Sequence, residues 1–535
     1  MSKRVVIVGG VAAGMKTAAR LRRLDAEAEI IVLERGPQLS YGACGFPYFI
    51  SGEVKSMNSF DHTPQGALRD SSYFAAVKGV DARCGCNVQK IDREHKCVHY
   101  VERGEQKQLA YDVLVLATGS TPVKLPLPNA DAAGIHSFWF PWDVEAVDKE
   151  IAEGGVRDVV IIGAGFIGLE LAEAFVRRGL HTSVLEQQDR LLPQLLDEDM
   201  GALLLRDTKN PLLDIYLEEK VGAFAVENGR VAGVQTDKRL IPAQLVIVAV
   251  GVRPNVELAR EAGLAIGPSG CIAVNEYLQT SDSAIYAGGD CAENTHRVSK
   301  AKVFVPMGSN ANKHGRVIAD NICGAQKKYP GVMGTAACRF FAQEAGATGL
   351  NERTAQQAGL DFASVVVPGL DRLGYMPGVG RIVLKLLAEK GSGRVLGLDL
   401  AYAPPFNTPI ENIATAANVL QNKLDGQLRS INPVEFEKQR EQDDYLFVDV
   451  RTPAEVAAKR IAGIPSRVNL PLDTLRTADI SKLAKEQKVV TACQIDLRGY
   501  EAEVILRARG FSNVYSLEGG MSGWPYATES DNDEK

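Results

Sequence analysis

The chain has 535 residues, 45% hydrophobic and 24% charged, with a formal net charge of −6. At roughly 150 residues per domain this is material for three or four globular domains, and the composition excludes a chain disordered throughout. The acidic balance calls for no nucleic-acid or anionic-membrane partner, and no apolar run reaches the roughly 18 residues of a membrane span. Met1-Ser-Lys-Arg-Val-Val-Ile-Val enters a strand pattern directly, which reads against a signal peptide. The nine cysteines include no C-x-x-C pair and read as reduced, cytoplasmic thiols.

In chain order, the first organised stretch is a strand (Arg4–Val8), a glycine turn (Gly9-Gly10-Val11-Ala12-Ala13-Gly14), an amphipathic helix (Met15–Leu24), a strand (Ile30–Leu33) and Glu34. Cys44 follows in Ser40-Tyr41-Gly42-Ala43-Cys44-Gly45-Phe46-Pro47-Tyr48, where Pro47 opens a short helix that Gly52 ends. A cysteine just before a helix N-terminus has its thiolate stabilised, so Cys44 reads as a redox nucleophile. The strand Val113–Ala117 runs into Thr118-Gly119. Residues 158–186 then repeat the opening pattern: strand Asp158–Ile162, turn Gly163-Ala164-Gly165-Phe166-Ile167-Gly168, helix Leu169–Arg178, strand Thr182–Leu185, Glu186. The strand Leu245–Val250 ends at Gly251, and Ser283–Gly289 delivers Asp290.

Two such strand–turn–helix units mean two dinucleotide sites. Their glycines permit a tight turn and close backbone approach, the helix N-terminus offers free N–H groups to a pyrophosphate, and Glu34 and Glu186 are placed to accept from ribose hydroxyls.

Residues 331–422 form a third region with strands Arg381–Leu387 and Arg394–Leu400 and a helix Ile410–Leu424, followed by a polar linker, Gln421–Ser430. From Asn432 a small α/β pattern begins: strands Tyr445–Val450, Lys488–Ala492 and Val514–Leu517, and a helix Tyr500–Arg509. Cys493 stands at a strand end before a short loop, Gln494-Ile-Asp-Leu-Arg498, that can turn N–H groups toward its sulfur and stabilise a thiolate or persulfide anion. The tail Thr528–Lys535 reads as disordered. Cys84, Cys86 and Cys97 read as core thiols, His314 as a packed loop histidine, and no metal site is expected.

Residues 1 to about 425 resemble the flavoprotein disulfide reductases with two dinucleotide sites, specifically the coenzyme A-disulfide reductase and NADH oxidase/peroxidase branch. The resemblance is carried by Gly9–Gly14, Tyr41–Tyr48 with its single cysteine, Ala117-Thr-Gly119, Gly163–Gly168, Gly288-Gly-Asp290 and Ala311-Asn-Lys-His-Gly315. It implies FAD on Gly9, Val11, Ala12, Ala13, Gly14, Glu34, Arg35, Ala117, Thr118, Gly119 and Asp290. It implies NADH on Gly163, Gly165, Phe166, Ile167, Gly168, Glu186 and Gly251, since the Glu186 carboxylate repels the 2′-phosphate of NADPH, although Arg190 is near. Tyr375 and Tyr402 match tyrosines that face the redox cysteine across a homodimer. Arg20, Arg23, Ser40 and Lys313, the last in a loop after Pro306, are candidate contacts to a coenzyme A-like substrate. Two departures stand out: Ala43 replaces an asparagine, and a helical segment is missing between Gly397 and Leu398.

Asp449-Val-Arg451, Cys493–Arg498 and Glu518-Gly-Gly-Met-Ser-Gly-Trp524 resemble a rhodanese domain, which makes Cys493 a sulfur carrier with Arg498 in its loop. Asp496 stands where that loop often has a small residue, and its charge would weaken the anion cradle.

The expected fold is α/β throughout: an FAD-binding domain (1–120 and 251–325), an NADH-binding domain (121–250), a shortened α+β dimerisation domain (326–422), a rhodanese domain (430–527) and a disordered tail (528–535). The expected function is an FAD-dependent, NADH-consuming reductase of small persulfides or polysulfides that releases hydrosulfide. Alternatives are a coenzyme A-disulfide reductase, an NADH oxidase or peroxidase cycling Cys44 through a sulfenic acid, and a sensor or sulfur carrier that turns over poorly.

Overall fold

A computed structural model describes residues 3–63, 66–371, 375–401, 416, 419–420, 422–440, 444–476, 478–481 and 483–531. The chain divides into two compact units, Met1–Gln187 with Leu212–Met333, and Gln188–Pro211 with Gly334–Lys535. Among the described residues no helix is long and apolar enough to cross a membrane.

The first unit holds two five-stranded parallel sheets. One runs Ile285–Ala287, Val113–Leu116, Arg4–Val8, Glu29–Leu33, Asp81–Arg83. Val5, Val6 and Ile7 are fully buried because both faces are covered. Val5 and Ile7 meet Ala18 and Leu21 of the helix Ala13–Leu24 and Val317 and Ile318 of the helix Gly308–Ile322. Val6 and Val8 meet Val98 and Tyr100 of a three-stranded antiparallel sheet within residues 86–110. The second sheet runs Leu213–Tyr216, His181–Leu185, Asp158–Ile162, Leu245–Val248, Ile135–His136, with the antiparallel strands of residues 221–242 packed on one face. The helices after the two glycine turns both start earlier than periodicity placed them, at Ala13 and Phe166.

The second unit holds a five-stranded antiparallel sheet, in the order Ala336–Phe340, Gln343–Gly349, Val395–Ala401, Arg381–Glu389, Phe362–Leu370. The strand Val395–Ala401 passes unbroken through Gly397 and Leu398, the point at which a helical segment is expected to be absent, and carries Asp399 into the interior (1% exposed). There Lys385, also 1% exposed, lies 2.9 Å from Asp199, 3.0 Å from Glu352 and 3.3 Å from Asp197. The Asp399 carboxyl accepts the Asp197 backbone N–H at 3.2 Å. Burial opposes the Lys385 charge, yet Asp199, Glu352 and Asp197 outweigh it and hold the ammonium well above its ordinary range. Burial, together with neighbouring carboxylates, pushes Asp197 and Asp399 up. Of the expected helix Ile410–Leu424, residues 416, 419–420 and 422–424 are helical and the rest lie outside the described residues.

The C-terminal parallel sheet runs Ser430–Ile431, Val514–Leu517, Lys488–Ala492, Tyr445–Asp449, Arg467–Asn469, with a hydrophobic cluster on each face. Two expectations are corrected. The stretch expected as a polar linker is tied down over residues 422–430: Lys423 bonds Glu518 and the Ser364 carbonyl, Leu428 is buried, and Ser430 opens a strand, while Gln421 lies outside the described residues. Thr528–Glu529, expected disordered, pairs with Arg460–Ile461, and Glu529 accepts from Arg460. Residues 532–535 lie outside the described residues.

Candidate functional site

The two glycine turns are near-copies in space. Gly9 and Gly163 both take φ +108°, and a Cβ there would lie 2.1 Å from the Ala117 carbonyl oxygen or 2.5 Å from that of Ala249. A Cβ on Gly14 or Gly168 would lie 1.9 or 2.0 Å from the carbonyl of its own turn's first glycine, so the helix packs directly on the turn. Neither helix has a side-chain cap or an acidic residue in its first turn, which leaves the N–H groups and positive dipole end free. Glu34 accepts the N–H of Gly10 at 2.6 Å and of Gly36 at 2.7 Å, and Glu186 accepts the N–H of Ala164 at 3.0 Å. Each carboxylate is thus fixed at the turn it follows in sequence.

Asn255, which sequence reasoning missed, accepts from the Thr118 hydroxyl with its backbone carbonyl and donates to the Thr118 backbone carbonyl with its side-chain amide, fixing Ala117–Gly119. The Asp290 carboxyl accepts from the Ser120 hydroxyl at 2.8 Å, and burial pushes its pKa up. His314, expected in a loop, lies on the helix Gly308–Ile322, where Nδ1 accepts the Gly289 N–H and Nε2 faces the Asn294 side-chain oxygen. Burial, aided by Lys313, lowers its pKa to about 4, so the ring is neutral at pH 7.

The Cys44 loop is bound to the first turn: the Ser40 N–H donates to the Gly10 carbonyl at 2.9 Å, with Ser40 at φ +51°. Cys44 is exposed in a single 3₁₀ turn, Ala43–Gly45, that leads into the helix Phe46–Ile50. Phe60 clamps the loop, taking the Gly42 N–H on its carbonyl and standing edge-on to Phe46. A Cβ on Gly45 would lie 2.2 Å from the Phe60 ring. No local pattern marks Phe60 for this role; the contact is made only by folding.

Of the basic residues, Arg20 is paired with Asp320 at 2.8 Å, while Arg23 and Lys313 are exposed. Lys313 lies on the helix Gly308–Ile322, not in a loop. Arg35 is exposed beside Glu34, and Arg190 pairs with Asp189. Tyr375 is 82% exposed; Tyr402 lies outside the described residues. Cys86 and Cys97 are buried and Cys84 half-buried. Asp92, Cys97 and His99 bring possible ligand atoms within 4.8 Å of one another. His95 already bonds Asp92 there through its N–H and ring, and the Gln108 amide lies on the Cys97 sulfur.

Cys493 is fully buried at the end of the strand Lys488–Ala492. Burial pushes its thiol up; the N–H groups of Ile495 and Gly499 and the Arg498 guanidinium favour its anion, and the Asp496 charge opposes it. Arg498 is held by Glu455 at 2.7 and 3.1 Å. Those bonds, with the Thr452 cap, lower the Glu455 pKa to about 2. Glu455 was missed, although Thr452-Pro-Ala-Glu455 has the spacing of a capping box and forms one. The loop is pinned from below, where the Met521 N–H donates to the Cys493 carbonyl and the Ser522 N–H to the Gln494 carbonyl, both at 2.9 Å.

Residues 3–308 match the family described as pyridine nucleotide-disulphide oxidoreductase, 335–423 its dimerisation domain, and 432–526 the rhodanese-like domain. The chain is 33% identical over 451 residues to the NAD(P)H sulfur oxidoreductase (CoA-dependent) of Pyrococcus abyssi, covering 79% of this chain and 99% of that one. It is similar to the structure of a NAD-dependent persulfide reductase from A. fulgidus, with TM-score 0.91, 37% identity, and 97% and 100% of the two chains covered. It is similar also to reduced Bacillus anthracis CoADR-RHD, with TM-score 0.89, 30% identity and 98% of each chain covered. The family implies FAD and a nicotinamide dinucleotide. The residues present fit both: a Cβ on Gly119, Gly165 or Gly251 would meet nothing within 4 Å, the helix N-termini are uncapped, and the Asp290 carboxyl is desolvated. With both turns built to this pattern and the match running through its dimerisation domain, the chain belongs to the pyridine nucleotide-disulphide oxidoreductase family, with a rhodanese-like domain at its C-terminal end.

Proposed function

We propose that this chain is an FAD-dependent, NADH-consuming reductase of small persulfides and polysulfides, coenzyme A persulfide among them, that releases hydrosulfide and works as a homodimer in the cytoplasm. The observation that carries the reading is the exposed Cys44, bound through Ser40 to the first glycine turn, in a chain that also holds Cys493 under backbone N–H groups. The Pyrococcus sulfur oxidoreductase and the A. fulgidus persulfide reductase, as relatives, support the substrate class.

Gly9, Val11, Ala12, Ala13 and Gly14 would hold the FAD pyrophosphate, Glu34 and Arg35 its ribose end, and Ala117, Thr118, Gly119 and Asp290 the remainder. Gly163, Gly165, Phe166, Ile167, Gly168 and Gly251 would hold NADH, with Glu186 accepting from its ribose hydroxyls. FAD and NADH, when bound, supply hydride transfer and the two electrons needed at sulfur. The Cys44 thiolate attacks the inner sulfur of the persulfide, the S–S bond breaks, and hydrosulfide leaves with the electron pair. A disulfide between Cys44 and the carrier thiol remains, and two electrons and one proton return it to thiolate and free thiol. Arg23, Lys313, Arg20 and Ser40 would contact the carrier, and Tyr375 and Tyr402 would donate to the leaving thiolate across the dimer. Cys493, with Arg498, would collect sulfane sulfur as a persulfide.

The test is anaerobic NADH-dependent hydrosulfide release from coenzyme A persulfide. Cys44→Ser should abolish release while the bound-flavin absorbance stays; release that survives overturns the mechanism. A second reading, coenzyme A-disulfide reduction with an idle rhodanese domain, draws on the complete burial of Cys493. Turnover of that disulfide but not of the persulfide, unaltered in Cys493→Ser, would select it.

A further inference from the structure

Residue 496 takes φ +74° and ψ −26°, a left-handed conformation that glycine adopts at least cost and asparagine or aspartate tolerate. It precedes the helix Leu497–Ala508, yet its side chain makes no capping bond to that helix. The carboxyl turns inward beneath the Cys493 loop instead. Its Oδ1 is shielded from solvent without a hydrogen-bond partner and lies 3.0 Å from where a Cβ on Gly499 would stand. Gly499 supplies one of the two N–H groups that favour a sulfur anion at Cys493. A carboxyl in this place therefore sits directly under the anion cradle.

The groups facing that carboxyl come from four elements. Glu518, just past the strand Val514–Leu517, and Glu503, on the helix Leu497–Ala508, are negative; Lys423 is positive, and Ser516 offers a hydroxyl. Lys423 is already taken by Glu518 at 2.5 Å, with Ser430 donating to the same oxygen at 2.7 Å, and Glu503 is paired with Arg507 at 3.0 Å. From the loop itself comes Cys493, and Arg498, in the first turn of the helix Leu497–Ala508, is held by Glu455. Lys423 still favours a charge on Asp496 across its pair with Glu518, but by less than burial and Glu518 oppose it. Burial, with Glu518 next, pushes its carboxyl up to about 8, so it is neutral at pH 7. The departure that would weaken the cradle on charge alone is therefore silent under neutral conditions.

We propose that Asp496 is a positioning residue for sulfur transfer: neutral, it leaves the loop's N–H groups and Arg498 free to hold a sulfur anion on Cys493, and ionised, it expels that anion. The proposal rests on reading Cys493 as a persulfide carrier. With thiosulfate as donor, the Cys493 thiolate attacks the outer sulfur, the S–S bond breaks, and sulfite leaves with the electron pair, so that a persulfide anion remains. Cyanide then attacks the terminal sulfur and departs as thiocyanate, which restores the thiolate.

The test is the pH profile of thiocyanate formation from thiosulfate and cyanide by the full-length FAD-loaded protein. Because burial holds the Cys493 thiol above the Asp496 carboxyl, wild type should rise with pH as Cys493 begins to ionise and level off near pH 8, where Asp496 ionises. Asp496→Asn removes the charge and tolerates the left-handed turn; Asp496→Gly removes both the charge and the strain. Both should lose the levelling-off and keep rising, a difference of about tenfold from wild type at pH 9 for a break one unit lower. Glu518→Gln should move the break to lower pH, because it removes a like charge and frees Lys423. Variants that keep the wild-type break near pH 8 overturn the role of Asp496. If wild type forms no thiocyanate, or Cys493→Ser forms as much, the reading of Cys493 as a carrier is what falls.

Discussion

The Lys385 cluster sets a stability test whose size follows from its geometry. One ammonium, 1% exposed, sits within 2.9–3.3 Å of Asp199, Glu352 and Asp197, and Asp399 is buried beside Asp197. Lys385→Met keeps the side chain's length and apolar stem but removes the charge, leaving buried carboxylates with no compensating cation. Removing one partner of a buried pair costs about 3–5 kcal/mol, and that is the expected loss. The sign with pH is fixed as well. Without Lys385 the folded carboxylates hold their protons more tightly than the unfolded ones, so stability falls as pH rises from about 4. The deficit against wild type should be larger at pH 8 than at pH 5. Asp399→Asn removes a like charge and keeps an acceptor for the Asp197 N–H, so it should change stability by less than about 1 kcal/mol, and it should recover part of the loss in the double variant.

A chain of several domains does not unfold in two states, so the quantity to measure is the opening free energy of peptides spanning Arg381–Ala401, by native-state hydrogen exchange at 25 °C. A Lys385→Met loss below about 1 kcal/mol, the scale of a surface pair, would refute the reasoning. It would mean that water or rearrangement already screens the cluster.

A Cβ on Gly168 would lie 2.0 Å from the Gly163 carbonyl, so Gly168→Ala should weaken NADH binding about 5- to 150-fold, from about 1–3 kcal/mol of overpacking. Flavin content should stay as in wild type, as read by nucleotide titration beside the flavin spectrum; loss of flavin first would refute the assignment of the two turns. Glu455→Gln frees Arg498 and should lower thiocyanate formation about tenfold. Because the Glu455 pKa is depressed to about 2, its contribution is present above about pH 4 and lost as pH falls toward 2, so wild type should show no limb from this pair between pH 5 and 8. His314, with its pKa lowered to about 4, stabilises the fold as the neutral ring. That support is lost as pH falls from about 6.5 toward 4, and flavin retention followed through acid dialysis should fall over the same window, less steeply in His314→Gln.

What sequence shows and what it hides divide along the distance over which the chemistry is decided. The glycine turns were legible because a strand, a turn that excludes Cβ atoms and a helix start lie within about ten consecutive residues. The hairpin at Asn228-Gly229, with φ +50° and +80°, carried an equally local signal and was passed over. The strand Glu105–Ala110 was hidden because its residues are mostly polar, and it is held by the Arg103-Gly104 turn and by pairing with Cys97–Glu102. Phe60, Asn255 and the Lys385 cluster had no local signal at all, since each acts on groups far away in sequence.

Asp496 shows why charge belongs with the hidden class. Read along the chain, an aspartate three residues from Cys493 is a negative charge that opposes a sulfur anion. In the fold, Glu503 comes up from the next helix and Glu518 from the end of a strand, Lys423 is paired with Glu518 and offsets too little, and the carboxyl is driven to its neutral form. Residue identity names the group that titrates; whether it is charged at pH 7 is decided by neighbours that only the folded chain supplies. The same holds for Lys385, whose charge is kept in the interior only because folding gathers carboxylates around it. In both places the sequence shows the acid or base correctly, and the folded surroundings choose its state.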